Sequence, residues 1–166
     1  MTSKIQAESM NLADTYAFTG TVTGAGEKNT PYFYGHNSGS SQSVANSTWT
    51  KVEFTEVLDS DNAFASNRFT PQTAGKYYFS GACAINGMDD AETTFVSIYK
   101  NGSSITGAFG TQVSGAGGIG LQARCDVTVD MNGSTDYVEF FVLHNEGASQ
   151  TVWAGAGSFT GFLVST

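Results

Sequence analysis

From Ile119 to Met131, apolar and polar residues alternate. Ile119, Leu121, Ala123, Cys125, Val127, Val129 and Met131 take every second position, and Gln122, Arg124, Asp126, Thr128 and Asp130 fill the gaps. A period of two over this length specifies a half-buried antiparallel strand, one face in a core and one toward water. Asn132-Gly133-Ser134-Thr135 follows and reads as a turn, because Asn-Gly accepts positive φ at low cost. Tyr137 to Leu143 then returns as a second strand, which predicts a hairpin.

Other segments follow the same rule. Lys76 to Ile85 puts Tyr77, Phe79, Cys83 and Ile85 on one face. Phe95 to Lys100 puts Val96 and Ile98 on one face and stops at Asn101-Gly102, another tight-turn pair. Trp49 to Val57 is predicted as one strand carrying Val52 and Phe54, and Ser158 to Val164 as a last strand. The glycine-rich stretch Gly107 to Gly120 is a loop, or an edge strand broken by bulges. Leucine occurs five times, so strong helix formers are scarce while Thr, Val, Tyr and Phe are plentiful. Short strands between polar Gly/Ser turns predict an all-β sandwich or jelly roll. Its expected core is Phe54, Tyr77, Phe79, Ile119, Leu121, Val127, Val129, Phe140, Phe159 and Leu163.

Some strands are apolar on both faces. Tyr137, Phe141 and Leu143 oppose Val138, Phe140 and Val142, and Phe162 and Val164 oppose Phe159 and Leu163. A two-layer sandwich covers only the inner set. The simplest cover for the outer set is a neighbouring subunit, the alternative being termini or loops folded over it.

At 166 residues the chain fits one domain. Its formal charge is −8, with 7 basic residues against 15 acidic ones, which argues against a nucleic-acid or anionic-membrane partner. No run of about 18 apolar residues predicts membrane insertion, and the first residues lack the apolar core of a signal peptide. Residues 1–30 read as an attachment arm or linker, with Ile5, Leu12 and Tyr16 as a weak helical stripe.

Catalytic chemistry finds little purchase. His144 and His36 are the candidate bases, but no Gly-x-Ser-x-Gly elbow surrounds any serine, and both read as exposed or interface residues. Asp59, Asp61, Asp89 and Asp90 are weak candidates for a calcium site, since no Asp-x-Asp-x-Asp-Gly loop holds them. Asp59-Ser60-Asp61-Asn62 reads rather as a capped turn, and Asp89-Asp90-Ala91-Glu92 as a solvated loop tip. Gly115 to Gly120 lacks the lysine and the helix of a phosphate cradle. Cys83 and Cys125 sit on the apolar phase of their strands and read as buried thiols or one disulfide. No metal or other cofactor is otherwise implied. Trp153, beside Ala154-Gly155-Ala156-Gly157, and Trp49 fit either core filling or stacking on a sugar ring.

The succession Val52-Glu53-Phe54, Asp59 to Phe64, Arg68-Phe69-Thr70-Pro71 and Ala74-Gly75-Lys76-Tyr77-Tyr78-Phe79-Ser80 resembles the C1q/tumour-necrosis-factor-like jelly roll. Pro31-Tyr32-Phe33 is similar to its first strand, Ser97 to Gly102 to its central hairpin, and Ser158-Phe159-Thr160-Gly161-Phe162-Leu163 to its last. The resemblance covers residues 31–166. It implies a ten-stranded antiparallel sandwich, a tight homotrimer, and binding rather than catalysis. On it, Tyr32, Tyr34, Tyr137, Phe141, Leu143 and Phe162 are the expected trimer contacts, and calcium is a low-order expectation carried by some relatives. There is no collagen-like Gly-x-y repeat. Asn11 to Val22 is similar to the openings of bacteriophage fibre and appendage proteins, especially marine ones. That resemblance implies a virion protein made in the host cytoplasm without a signal peptide. It would be a tail fibre or tail-associated receptor binder, holding other virion proteins through residues 1–30 and a host glycan or protein through its head. Capsid decoration or head-fibre protein is the first alternative, a secreted C1q-like carbohydrate-binding lectin the second.

Overall fold

The computed structural model describes residues 29–37 and 41–166, so the expected arm lies outside the described residues except for its last two. No described residue is helical. In chain order the strands are β1 Tyr32–His36, β2 Ser43–Val44, β3 Thr50–Lys51, β4 Thr55–Asp59, β5 Phe64–Ala65, β6 Arg68–Phe69 and β7 Ala74–Met88. They continue with β8 Thr93–Lys100, β9 Ser103–Val113, β10 Ile119–Asn132, β11 Val138–His144, β12 Gln150–Thr151 and β13 Ser158–Ser165. One sheet runs β10-β7-β13-β1-β4 and a second β5-β6-β11-β8-β9 with β3 on β11, while β2 and β12 form a small ribbon. Every pairing is antiparallel.

The alternating segment is β10, paired with β7 from Asn132↔Ala74 to Ile119↔Met88. Leu121, Ala123 and Cys125 are buried on it, and Val127 and Val129 are half-buried against the same core. Ile119 is a correction: it is 38% exposed. The β10–β7 register shifts between Ile119 and Leu121, so the bulge throws the first residue out of phase with the rest.

Two connections also differ from expectation. Asn132 to Asp136 does not close a hairpin. Among the described residues β10 pairs with β7 alone, at an edge of the first sheet, whereas β11 lies in the second sheet between β6 and β8. The turn carries the chain from one sheet to the other. Trp49 to Val57 is likewise not one strand: β3 pairs with β11 and β4 with β1. Between them the chain crosses sheets with Val52 and Phe54 buried. Side chains stand in for the missing ladder there, as Gln42 Oε1 accepts from Glu53 N–H and Asn67 Oδ1 from Phe54 N–H. The Asn101-Gly102 hairpin holds, with φ of 52° and 79° at its two residues. Gly107 to Gly120 resolves into the edge strand β9, whose pairing with β8 shifts register between Ser97 and Tyr99, and a loop after Val113.

Aromatic rings fill the space between the sheets. Phe33 stacks between Phe64 and Phe69 at 4.8 and 4.5 Å and meets Phe159 edge-on at 5.0 Å. Phe54, Tyr77, Phe79, Phe140, Phe159 and Leu163 are buried as expected. Two glycines make room: a Cβ on Gly161 would collide with the ring of Phe79, and one on Gly81 with that of Phe140. The rings therefore lie directly on the backbone of the facing or neighbouring strand.

Candidate functional site

The outward face of the first sheet is built in rows by the register. One row crosses Thr128, Tyr78, Phe162 and Tyr32; the next crosses Asp126, Ser80, Thr160, Tyr34 and Leu58. Tyr32 is 41% exposed, Leu58 53%, and Tyr34 and Phe162 36% each. A third row crosses Arg124, Ala82, Ser158 and His36.

A different apolar patch lies on the second sheet. Phe141 packs on Tyr99 at 4.1 Å, Trp49 packs edge-on against both Tyr99 and Phe109, and Phe95 meets Phe109 at 5.9 Å. Phe109 and Val113, on the edge strand β9, are 51% and 54% exposed. The six expected subunit contacts thus separate. Tyr32, Tyr34 and Phe162 share the first-sheet face. Phe141 and Leu143 are half-buried on the second sheet, and Tyr137 is covered by the guanidinium of Arg68, 3.7 Å above its ring. Trp49 is half-buried as part of the second patch.

Trp153 sits beside the third row. Its backbone N–H donates to Ala84 O at 2.8 Å, its backbone carbonyl accepts from Asn37 Nδ2 at 2.8 Å, and Ala156 N–H donates to the same carbonyl at 3.1 Å. Asn37, buried and pinned to the sheet end, also accepts from Gly157 N–H through Oδ1 and from Gly155 N–H through its carbonyl. The loop is thereby held from both sides. The indole lies against Gly120, where any Cβ would collide with it, yet 48% of the residue remains exposed. Next to it is a cleft of ≈ 400 Å³. Its floor is Ala82 and Ser158, too short to fill the sheet face; Gln122 and Arg124 form one wall, and Tyr34 and His36, with stacked rings 6.3 Å apart, form the other. Gln122 Nε2 donates to Ala156 O, tying that wall to the Trp153 loop.

The residues read for other chemistry do not converge. His144 is a correction. It is fully buried, its Nε2 pairing with Val44 O at 3.0 Å and its Nδ1 accepting from Glu146 N–H at 3.3 Å. β2, invisible as a strand in the sequence, provides that cover. His36 is half-buried on the cleft wall. Asp59 caps a turn as expected, accepting from Asp61 N–H at 3.3 Å and Phe64 N–H at 2.7 Å. Asp89 and Asp90 are exposed, and Asp90 accepts from Ala91 N–H. Among the described residues no three His, Cys, Asp or Glu side chains come together. Cys83 and Cys125 are buried free thiols, both pushed up to about 12 by burial. Arg124, Gln122, Asn37 and Phe109 were not singled out by sequence. Gln122 and Arg124 are visible there only as the polar phase of a strand, and what makes them a wall is the small floor on the neighbouring strands.

No protein-family model matches the sequence, and no curated protein matches it. Solved structures do. The chain superposes on Eiger TNF from S. frugiperda with a TM-score of 0.58 at 10% identity, covering 81% of this chain and 92% of that one. It superposes on murine APRIL (crystal structure at pH 5.0) with a TM-score of 0.56 at 10% identity, covering 80% and 98%. A second murine APRIL structure, at pH 8.5, gives 0.52 at 13% identity with coverage of 79% and 97%. At such identities the likeness is one of architecture: the chain folds as an all-β, TNF-like jelly roll.

Proposed function

We propose that this chain is a non-enzymatic binding module that assembles as a homotrimer and serves as an adhesion head on a virion, at a tail fibre or another tail-associated receptor binder. The observation that carries the assembly is the presence of two unlike apolar patches in different places. One is the Tyr32–Phe162 row of the first sheet with Leu58 beside it; the other is the Phe109–Val113 edge of the second. A two-fold dimer buries the same patch on both copies, whereas a ring buries one patch of each copy against the other patch of the next. The TNF-like fold supports closure of such a ring at three. Trimeric display multiplies weak contacts through effective concentration, which suits a head that grips a surface. The virion role rests on the likeness of Asn11 to Val22 to phage appendage openings, with residues 1–30 as the attachment arm.

Light scattering on the full chain tests the assembly: three chain masses are expected, and a stable monomer overturns it. Binding of the labelled protein to intact host cells tests the adhesion role. A trimer that binds no host cell, yet is present in many tens of copies on the particle shell, would replace adhesion with capsid decoration.

A further inference from the structure

We propose, resting on the adhesion reading above, that the cleft between Arg124 and His36, together with Trp153 at its end, binds a glycan that carries a carboxylate. Arg124 stands apart from the other cations. Lys51, Arg68, Lys76 and Lys100 each sit in an ion pair, and among the described residues Arg124 has none. A guanidinium left without a carboxylate in a chain of charge −8 offers a planar fork of donors that a ligand carboxylate matches in two parallel hydrogen bonds. Asp126, next on the same face of β10, forms no ion pair with Arg124, and its charge disfavours an anion on that side. The favourable position for the carboxylate is thus on the Gln122 side, inside the cleft.

Trp153 supplies the second contact and favours a sugar over a small anion. Its loop is fixed by Asn37, by the bond to Ala84 and by Gln122, so stacking a ligand on the exposed indole orders little that is not already ordered. The indole lies against Gly120, and Gly120, Gln122 and Arg124 occupy alternate positions of one strand. The strand positions involved, Gly120 beneath the indole and Arg124 at the root of the guanidinium, are four residues apart, about 13 Å of extended backbone. A short oligosaccharide spans that backbone distance, and a free carboxylate or phosphate ion does not. Along that span the ligand meets the Gln122 amide and a floor low enough for a flat ring, with the Ser158 hydroxyl level with Arg124 across Ala82.

The test is a titration of the full chain with trigalacturonate and with sialyllactose, followed by tryptophan emission, against the methyl ester of each as its neutral counterpart. At least one acidic sugar should bind saturably, about tenfold tighter than its neutral counterpart, with the preference shrinking as salt is raised. Arg124→Gln, at an exposed strand position, should lose that preference while keeping its mass and melting temperature. Trp153→Ala, followed by calorimetry, should lose binding altogether. No saturable binding of either acidic sugar, or equal affinity for Arg124→Gln and the parent, overturns the proposal. Light scattering on the same samples reports assembly separately: a monomer that binds acidic sugar refutes only the trimer, and a trimer that does not bind refutes only the site.

Discussion

At the residue scale, the core depends on places where a side chain is missing. Gly161 is covered by Phe79, with Phe33 beside it, so even one methyl group must displace rings that are packed from all sides. Gly161→Ala should cost about 1–3 kcal/mol, read as a lowered melting temperature. Gly115→Ala, where a Cβ meets nothing within 4 Å, should change stability by less than about 0.5 kcal/mol. Equal effects would mean that the ring contact is not what limits the site. The two thiols make a second residue-level case. Cys83 faces Ala123 and Cys125 faces Gly81, so they are diagonal neighbours on the buried side of the β7–β10 pair, and no disulfide joins them. Burial raises each from 9.0 to about 12, so the folded chain holds the protonated form more tightly than the unfolded chain does. The associated stability is full below the unfolded thiol value and declines as pH rises through it toward 12. A thiol reagent at pH 8 should label neither cysteine in the native protein and both in denaturant. Labelling of the native state at the rate of a free thiol would place them at the surface.

At the element scale, what was legible and what was not divides by the range of the interaction. The alternation in β10, the Asn101-Gly102 turn and the two-faced β13 are local patterns, and each is found where its residues put it. The destination of a strand is not local. Nothing in Asn132 to Asp136 distinguishes a hairpin from a crossing between sheets, because both need the same turn. The difference lies in what the returning strand pairs with. The structure shows how the crossing is secured. Asn132 Oδ1 accepts from the N–H groups of Ser134, Thr135 and Asp136, while Asp136 takes the N–H of Asn132, the amide of Asn101 and, at 2.7 Å, the ammonium of Lys100. Asn101 in turn exchanges bonds with Tyr137. The crossing is thus tied to the β8–β9 hairpin. The same division holds for the candidate site: Trp153 is legible as an aromatic beside a glycine loop, but its partners are Asn37 just past β1, Ala84 of β7 and Gly120 of β10. Hydrogen bonds from Lys100 and Asn101 hold the Asp136 carboxyl below its ordinary value. Its contribution is present above the unfolded carboxyl range, near 3.9, and is lost as pH falls through the lower folded value. Asp136→Asn should therefore lower stability at pH 7, and the gap between variant and parent should close in acid. A pH-independent gap in chemical denaturation would assign the effect to packing instead.

At the scale of the whole molecule, the two apolar patches make different assemblies distinguishable by mixing. Tyr32→Glu places a charge on the first-sheet face and Phe109→Glu places one on the β9 edge, both at exposed positions where the fold should tolerate it. In a ring, each contact joins the face of one copy to the edge of the next, so either variant alone spoils every contact and should be monomeric. Mixed, the two variants still hold one intact pair between them: the unmodified edge of the Tyr32→Glu chain and the unmodified face of the Phe109→Glu chain. They can form that one contact but cannot close, because the remaining face and edge both carry the new charge. The mixture should therefore contain a heterodimer and no trimer, readable by native mass spectrometry at concentrations where each variant alone stays monomeric. A face-to-face dimer predicts otherwise, with Phe109→Glu assembling like the parent and the mixture gaining nothing. The heterodimer would show that the exposed aromatic rows of one sheet and the exposed edge of the other are two halves of one interface, which accounts for why a chain this rich in aromatic residues leaves so many of them uncovered.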